Sequence, residues 1–135
     1  MDGSSNKTVC GAGVVLEGPG DLLIKQALQF SFKATNDQAE YEAILAGLNL
    51  ANDLGAREVT CKSDSQLVVG QIKGEFEVKE PLLQRYYHTV RNVTAKFDTV
   101  TVKQYHGRKT SVSMHSHAWH PRKNKAITDR SSKCD

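Results

Sequence analysis

Residues 35–54 of this 135-residue chain read TNDQAEYEAILAGLNLANDL, and their pattern predicts one long helix. Thr35 is followed three residues later by Gln38, the spacing of a capping box, in which two side chains satisfy two backbone N–H groups at the helix start. Gly55 lies just beyond the end, where glycine commonly stops a helix. Apolar residues cover almost the whole surface of this helix, so we expect it to be buried.

Glu40 is a carboxylate in the second turn of this predicted helix. Small residues such as Ala43 and Gly47 would let the helix lie close against a sheet. A charged group inside a packed element must be paired, neutralised or bound to a metal. Glu40 is therefore a candidate functional residue, beside the ordinary alternatives of helix capping, an ion pair or a solvated surface position.

The remaining pattern predicts a mixed sheet with helices packed on it, an α/β (α+β) fold. Alternating apolar residues and turn signals around Gly18, Pro19 and Gly20 predict two antiparallel strands. Ser65 suits the start and Gly74 the end of a short helix. The predicted strands are residues 11–16, 22–32, 58–62 and 98–104, and the predicted helices after the first are residues 66–73 and a helix that begins at Pro81.

The chain length is typical of one domain that can bury a core without disulfides. We expect residues 1–105 to form this domain and residues 106–135 to be a basic tail that packs little and exchanges amide hydrogens fast. No apolar run is long enough to span a membrane, and the first residues are polar, so we expect an intracellular protein with no membrane partner. Three cysteines without metal-site spacing indicate reduced thiols, and we expect a monomer.

The net charge of +3 belongs to the tail. Residues 106–135 hold 7 Lys and Arg against 2 Asp and Glu, which leaves 11 against 13 in residues 1–105. The main domain is therefore slightly acidic, and its charge alone does not indicate a nucleic-acid partner.

Three short blocks of the sequence stand out: DGSS at residues 2–5, NDQAEYEA at residues 36–43 and SDSQLV at residues 63–68. Together and in this order they resemble the type 1 ribonuclease H domain, and most of all the ribonuclease H segment of plant retroelement reverse transcriptases and their relatives. The resemblance covers about residues 1–104 and implies the ribonuclease H-like fold. It also implies an endonuclease that hydrolyses the RNA strand of RNA–DNA hybrids, which in relatives can be part of a larger polyprotein.

The resemblance implies that Asp2, Glu40 and Asp64 converge as the catalytic, metal-binding residues for two Mg²⁺ or Mn²⁺ ions. Hydrolysis of a phosphodiester needs an activated water and a stabilised leaving oxygen, and two such ions can supply both. These cations take hard oxygen ligands, which Asp and Glu provide. The resemblance also implies that Asn36 binds the nucleic acid, although capping of the central helix is an equally good use for this residue.

Two departures from the family bear on the site. Only Met1 precedes Asp2, where the family's first strand supplies several apolar residues, so we expect a clipped first strand and a poorly positioned Asp2. The family's fourth acid is also missing after the last predicted strand. In its place are His115, His117 and His120, which we do not expect to form a metal site because their segment has few core-forming residues.

The reading frame offers an explanation for the missing acid. One frame away, the codons allowed for residues 113–120 permit the family's ending. We therefore hypothesise that the tail from about His106 is out of frame, through a frameshift or a mis-spliced gene. Sequencing the transcript tests this hypothesis.

Three functions are compatible with the sequence. The first is hybrid cleavage, impaired by the missing acid. The second is a catalytically degenerate ribonuclease H-like domain that only binds nucleic acid. The third is a metal-binding or partner-binding module formed by the histidines and basic residues of the tail.

Overall fold

The computed structural model describes residues 8–106 and 109–115. This part of the chain contains five strands, which form one sheet, and three helices. The elements are β1 (Thr8–Gly18), β2 (Leu22–Thr35), α1 (Asn36–Asp53), β3 (Glu58–Ser63), α2 (Gln66–Lys73), α3 (Pro81–Thr94), β4 (Thr99–Gln104) and β5 (Ser111–His115).

Helix α1 begins at the predicted capping box. The Thr35 hydroxyl accepts a hydrogen bond from the backbone N–H of Gln38, and the Gln38 side chain accepts one from the backbone N–H of Thr35, both at 3.1 Å. Gly55 has φ of 88°, a left-handed conformation that favours glycine, and it follows the end of the helix. Three residues of α1, Tyr41, Ile44 and Leu48, are fully buried, which confirms the predicted central helix.

The sheet has the strand order β2-β1-β5-β3-β4. Strand β5 is therefore its central strand. It pairs antiparallel with β3 over five residue pairs and parallel with β1 over three, from the Val15–Ser111 pair to the Glu17–Ser113 pair. The predicted mixed sheet with packed helices is confirmed.

The expectation that residues after 105 pack little is wrong for β5. Val112 is fully buried and Met114 is 3% exposed, and both belong to the main core with Val14, Ile44 and Val59. The physical reason is that two apolar residues at alternating positions suffice for a central strand, because its neighbours on both sides supply the remaining burial. In the part of the chain described, the packed domain therefore includes β5 up to His115, and the reading-frame hypothesis stays a prediction.

The other predicted elements match the structure with shifts of a few residues at their ends. Helix α2 has the predicted bounds, with the Ser65 hydroxyl as its cap and Gly74 in the left-handed conformation at its end. Strands β1 and β2 form the predicted antiparallel hairpin. In residues 8–106 and 109–115, no helix is long and apolar enough to cross a membrane.

We predict that a side chain at Gly47 collides with the central strand. A Cβ atom there would lie 2.6 Å from Val112 Cγ2 and 3.0 Å from Val14 Cγ2. Alanine normally stabilises a helix by about 1 kcal/mol relative to glycine. We expect Gly47→Ala instead to lower the free energy of unfolding by about 1–3 kcal/mol because of overpacking, measured by urea denaturation.

The same substitution in a Val112→Ala background tests the position of β5 directly. With the valine methyls removed, the loss caused by Gly47→Ala should shrink by about 0.5 kcal/mol or more. Asn49→Ala, at an exposed position of the same helix, is the control and should not destabilise. Equal losses from Gly47→Ala in both backgrounds would place Val112 away from α1.

Cys10 and Cys61 should differ strongly in reactivity. Cys10 is exposed and Cys61 is 1% exposed, and burial raises the pKa of the Cys61 thiol to about 12. Because the thiolate is the reactive form, we expect a thiol reagent to modify Cys10 in the native protein and Cys61 only after unfolding. Peptide mass mapping measures both sites, and rapid native modification of Cys61 would contradict the described core.

Candidate functional site

An open cavity of about 780 Å³ lies where the start of α1, the first half of β1, the turn after β3 and the segment before β5 meet. Polar and acidic side chains form much of its wall. The lining residues are Val9, Gly11, Ala12, Gly13, Asn36, Asp37, Ala39, Glu40, Ala43, Asp64, Ser65, Lys109 and Thr110.

Glu40 is half-buried in this wall, and its Oε2 atom accepts two hydrogen bonds. The Ser63 hydroxyl donates one at 2.5 Å, and the Thr110 hydroxyl donates the other. The predicted carboxylate therefore lies at a packed position and is paired with neutral donors. These hydrogen bonds offset part of the free-energy cost of moving the Glu40 carboxylate out of water.

Asp64 is exposed and directly follows β3. The turn around it is held by two side-chain bonds. The backbone N–H of Ser65 donates to Ser63 Oγ at 3.1 Å, and Ser65 Oγ accepts from the backbone N–H of Val68 at 3.2 Å. The structure thus places Asp64 and Glu40 at the wall of one cavity.

Asp2, the third predicted ligand, lies outside the described residues. Among the residues that the structure does describe, no three His, Cys, Asp or Glu side chains form a cluster that could hold a metal ion. The assembly of the complete predicted trio therefore stays a prediction.

Asn36 is the first residue of α1, is exposed and lines the cavity. Its predicted alternative role, capping of α1, belongs to Thr35 instead. The Asn36 side chain is therefore a candidate for contacts within the cavity.

A buried hydrogen bond joins the two helices that lie next to these acids in the sequence. Tyr41 follows Glu40 in α1, and its hydroxyl donates to the side-chain carbonyl of Gln71 in α2 at 2.6 Å. Burial, followed by the nearby Asp37 and Tyr87, raises the pKa of the Tyr41 phenol, so it stays protonated as a donor. This bond links the helix that holds Glu40 to the helix that follows Asp64.

Asp37, Lys109 and Thr110 also line the cavity, and their place there was not predicted from the sequence. Asp37 lies one helical turn before Glu40, so the i, i+3 spacing could have identified it. Burial, and then the Glu80 carboxylate, raise the pKa of Asp37 above its ordinary value. Lys109 and Thr110 had no local signal, because they reach the cavity only through the pairing of β5.

The histidines of the C-terminal segment do not extend this site in the part of the chain described. His115 lies at the end of β5, where its Nε2 atom is 3.0 Å from Thr60 Oγ1. His117 and His120 lie outside the described residues.

The donors around Glu40 and Asp64 are suited to a hard cation. Carboxylate, hydroxyl and amide oxygens surround the cavity, and such ligands favour Mg²⁺ or Mn²⁺ over softer metals. Cys61, by contrast, is buried in the core and does not line the cavity. The residues present therefore fit a divalent cation with oxygen ligands.

Comparison with known proteins places this chain in a family. The family described as "Reverse transcriptase-like" matches residues 1–121. A ribonuclease HI of Halobacterium salinarum is 37% identical over 86 residues, which cover 64% of this chain and 39% of that protein. The chain therefore spans about two fifths of the length of this relative.

Solved structures show the same fold. The crystal structure of RNase H1 from Halobacterium salinarum has a TM-score of 0.65 and 26% sequence identity, covering 72% of this chain and 83% of that one. LC11-RNase H1, solved in complex with an RNA/DNA hybrid, has a TM-score of 0.58 over 71% of this chain and 86% of that one; at 20% identity it shows the fold alone. The chain belongs to the reverse transcriptase-like family and contains a domain of the ribonuclease H type.

Proposed function

We propose that this domain is a divalent-metal-dependent endonuclease that hydrolyses the RNA strand of RNA–DNA hybrids. The observation on which the proposal rests is the meeting of Glu40 and Asp64 at one open cavity, beside the exposed Asn36, in a domain of this family. The name of the Halobacterium relative, a ribonuclease HI, and the hybrid bound to LC11-RNase H1 support the choice of reaction and substrate.

Glu40 and Asp64 are the described residues that would hold Mg²⁺ or Mn²⁺, and we propose Asp2 as their partner. Two such ions would supply an activated water and a stabilised leaving oxygen. Val9 lines the cavity only seven residues after Asp2, and an extended chain of that length reaches about 23 Å. This length of chain supports the proposal that Asp2 joins the two other acids.

The chain's own contribution to hybrid binding is proposed to be local rather than a broad basic field. The sequence up to residue 105 has more acidic than basic residues, but Lys109 adds a cation at the cavity wall. Asn36 offers an amide donor and acceptor on the same wall. Such groups suit contacts to phosphates and 2′-hydroxyls, which distinguish RNA from DNA.

A degenerate domain that binds nucleic acid without cutting it is the second candidate. One observation favours it: the fourth acid that the resemblance implies is absent from its expected place in the sequence. With one carboxylate ligand fewer, the site should bind a divalent cation weakly and turn over slowly.

Cellular setting and assembly are proposals as well. We propose an intracellular monomer whose origin is the ribonuclease H segment of a plant retroelement, and which in relatives is part of a polyprotein. The exposed free thiol of Cys10 supports a reducing compartment. The resemblance of the three sequence blocks supports the origin.

We predict that the purified chain cleaves a labelled RNA–DNA hybrid in Mg²⁺ slowly, and that Glu40→Gln and Asp64→Asn each reduce the rate at least about 100-fold. Losses of residues that only support a metal ligand already cost about 10- to 100-fold. Gel analysis of the RNA strand measures the rate. Glu42→Gln, on the same helix but bonded to Tyr86, is the matched control for the loss of one carboxylate.

The outcome of this assay separates the two candidates. Hybrid binding without cleavage by the wild-type chain would favour the degenerate domain. Cleavage that survives both substitutions would show that the cavity is not the active site.

Asn36→Ala should weaken hybrid affinity without unfolding the protein. Thr35 and Gln38 cap α1, so we expect thermal stability to change little. The loss of one amide contact should lower the affinity by about 5- to 10-fold, measured by fluorescence anisotropy with a labelled hybrid. An unchanged affinity would remove Asn36 from the proposed interface.

A further inference from the structure

One oxygen of the Glu40 carboxylate accepts two hydrogen bonds from hydroxyl groups. Ser63 Oγ and Thr110 Oγ1 both donate to Oε2. Among the residues described, no hydrogen bond reaches the other oxygen, Oε1. The two oxygens of this carboxylate are therefore in different surroundings.

The direction of the Ser63 hydrogen bond is fixed by the backbone. Ser63 is 1% exposed, and its oxygen already accepts the N–H of Ser65 at 3.1 Å. A hydroxyl has a single proton to donate, and a carboxylate only accepts, so the Ser63 proton points to Glu40. The same side chain thus touches Glu40 and the turn that holds Asp64.

The position of Thr110 is fixed by the central strand. Its carbonyl accepts the backbone N–H of Val15 at 3.0 Å, and the next residue, Ser111, pairs with Val15 on one side and Lys62 on the other. Thr110 is 6% exposed. Backbone hydrogen bonds from this segment to β1 and β3 therefore hold the Thr110 hydroxyl beside Glu40.

We propose that Ser63 and Thr110 are positioning residues for the cation site. They hold Oε2 so that Oε1 is the oxygen that Glu40 presents to a divalent cation. Hydrogen bonds to an ionised acceptor are short and strong, so two of them restrict the torsions of a flexible glutamate side chain. A ligand held in this way loses less entropy when it binds a metal.

Two other roles of these hydroxyls predict different effects on cation affinity. If the hydroxyls competed with the cation for Oε2, their removal would free the carboxylate and tighten binding. If they only stabilised the fold, their removal would lower thermal stability and leave the cation affinity unchanged. Cation affinity therefore distinguishes positioning from both alternatives.

The test is a Mn²⁺ titration of the full chain, in which electron paramagnetic resonance measures the concentration of the free ion. We expect saturable binding to the wild-type protein, which Glu40→Gln abolishes, and about 10-fold weaker binding to both Ser63→Ala and Thr110→Val. Two buried hydroxyls away from Glu40 give matched controls. Ser113→Ala removes a bond to Glu17, Thr60→Val removes one to His115, and neither should change the Mn²⁺ affinity.

Circular dichroism identifies any variant that fails to fold, and the remaining variant then decides. Unchanged or tighter Mn²⁺ binding by a folded variant overturns the inference, and so does the absence of saturable binding to the wild-type protein. The inference rests on the proposed function, but the two can fail separately. Weaker Mn²⁺ binding by the variants together with no hybrid cleavage by the wild type would overturn only the proposed nuclease.

Discussion

The pairing of β5 with its two neighbours is the interaction on which the described structure depends. Strands β1 and β2 form one pair, β3 and β4 form another, and in the described part of the chain only β5 joins them into one sheet. The buried Val112 on this strand contacts the core beneath α1. Without β5, the inner edges of β1 and β3 would expose unpaired backbone groups, which is costly inside a protein.

The candidate site is a consequence of this pairing. Glu40 comes from a helix, Ser63 and Asp64 from the end of β3, and Thr110 from the segment that leads into β5. These parts are far apart in the sequence and meet because β5 is flanked by β1 and β3. Formation of the sheet and formation of the hydroxyl contacts on Glu40 are therefore coupled.

Local signals in the sequence were sufficient for most of the fold. The capping box at Thr35, the Ser65 cap and the glycine at the end of α2 each act through a contact of a few residues, so they were readable in advance. Strand β5 was not readable. Its five residues include only two large apolar side chains, Val112 and Met114, and the choice of partner strands is a long-range property.

The same distinction applies to the site. Glu40 and Asp64 were predicted because an acid in a buried helix and an acid at a strand end resemble a known pattern. Ser63 and Thr110 were not predicted, because hydroxyls at strand ends usually cap turns or helices and their sequence does not reveal a partner. The cavity thus combines residues with a recognisable pattern and residues whose role depends entirely on the packed sheet.

Amide hydrogen exchange measured by nuclear magnetic resonance is the sharpest test of the central position of β5. We predict that the backbone amides of Val112 and Met114 are protected to a degree similar to that of Val59 and Cys61 in β3, because these strands share one ladder. Exchange of the β5 amides at the rate of an unfolded chain, while α1 and β3 stay protected, would contradict it.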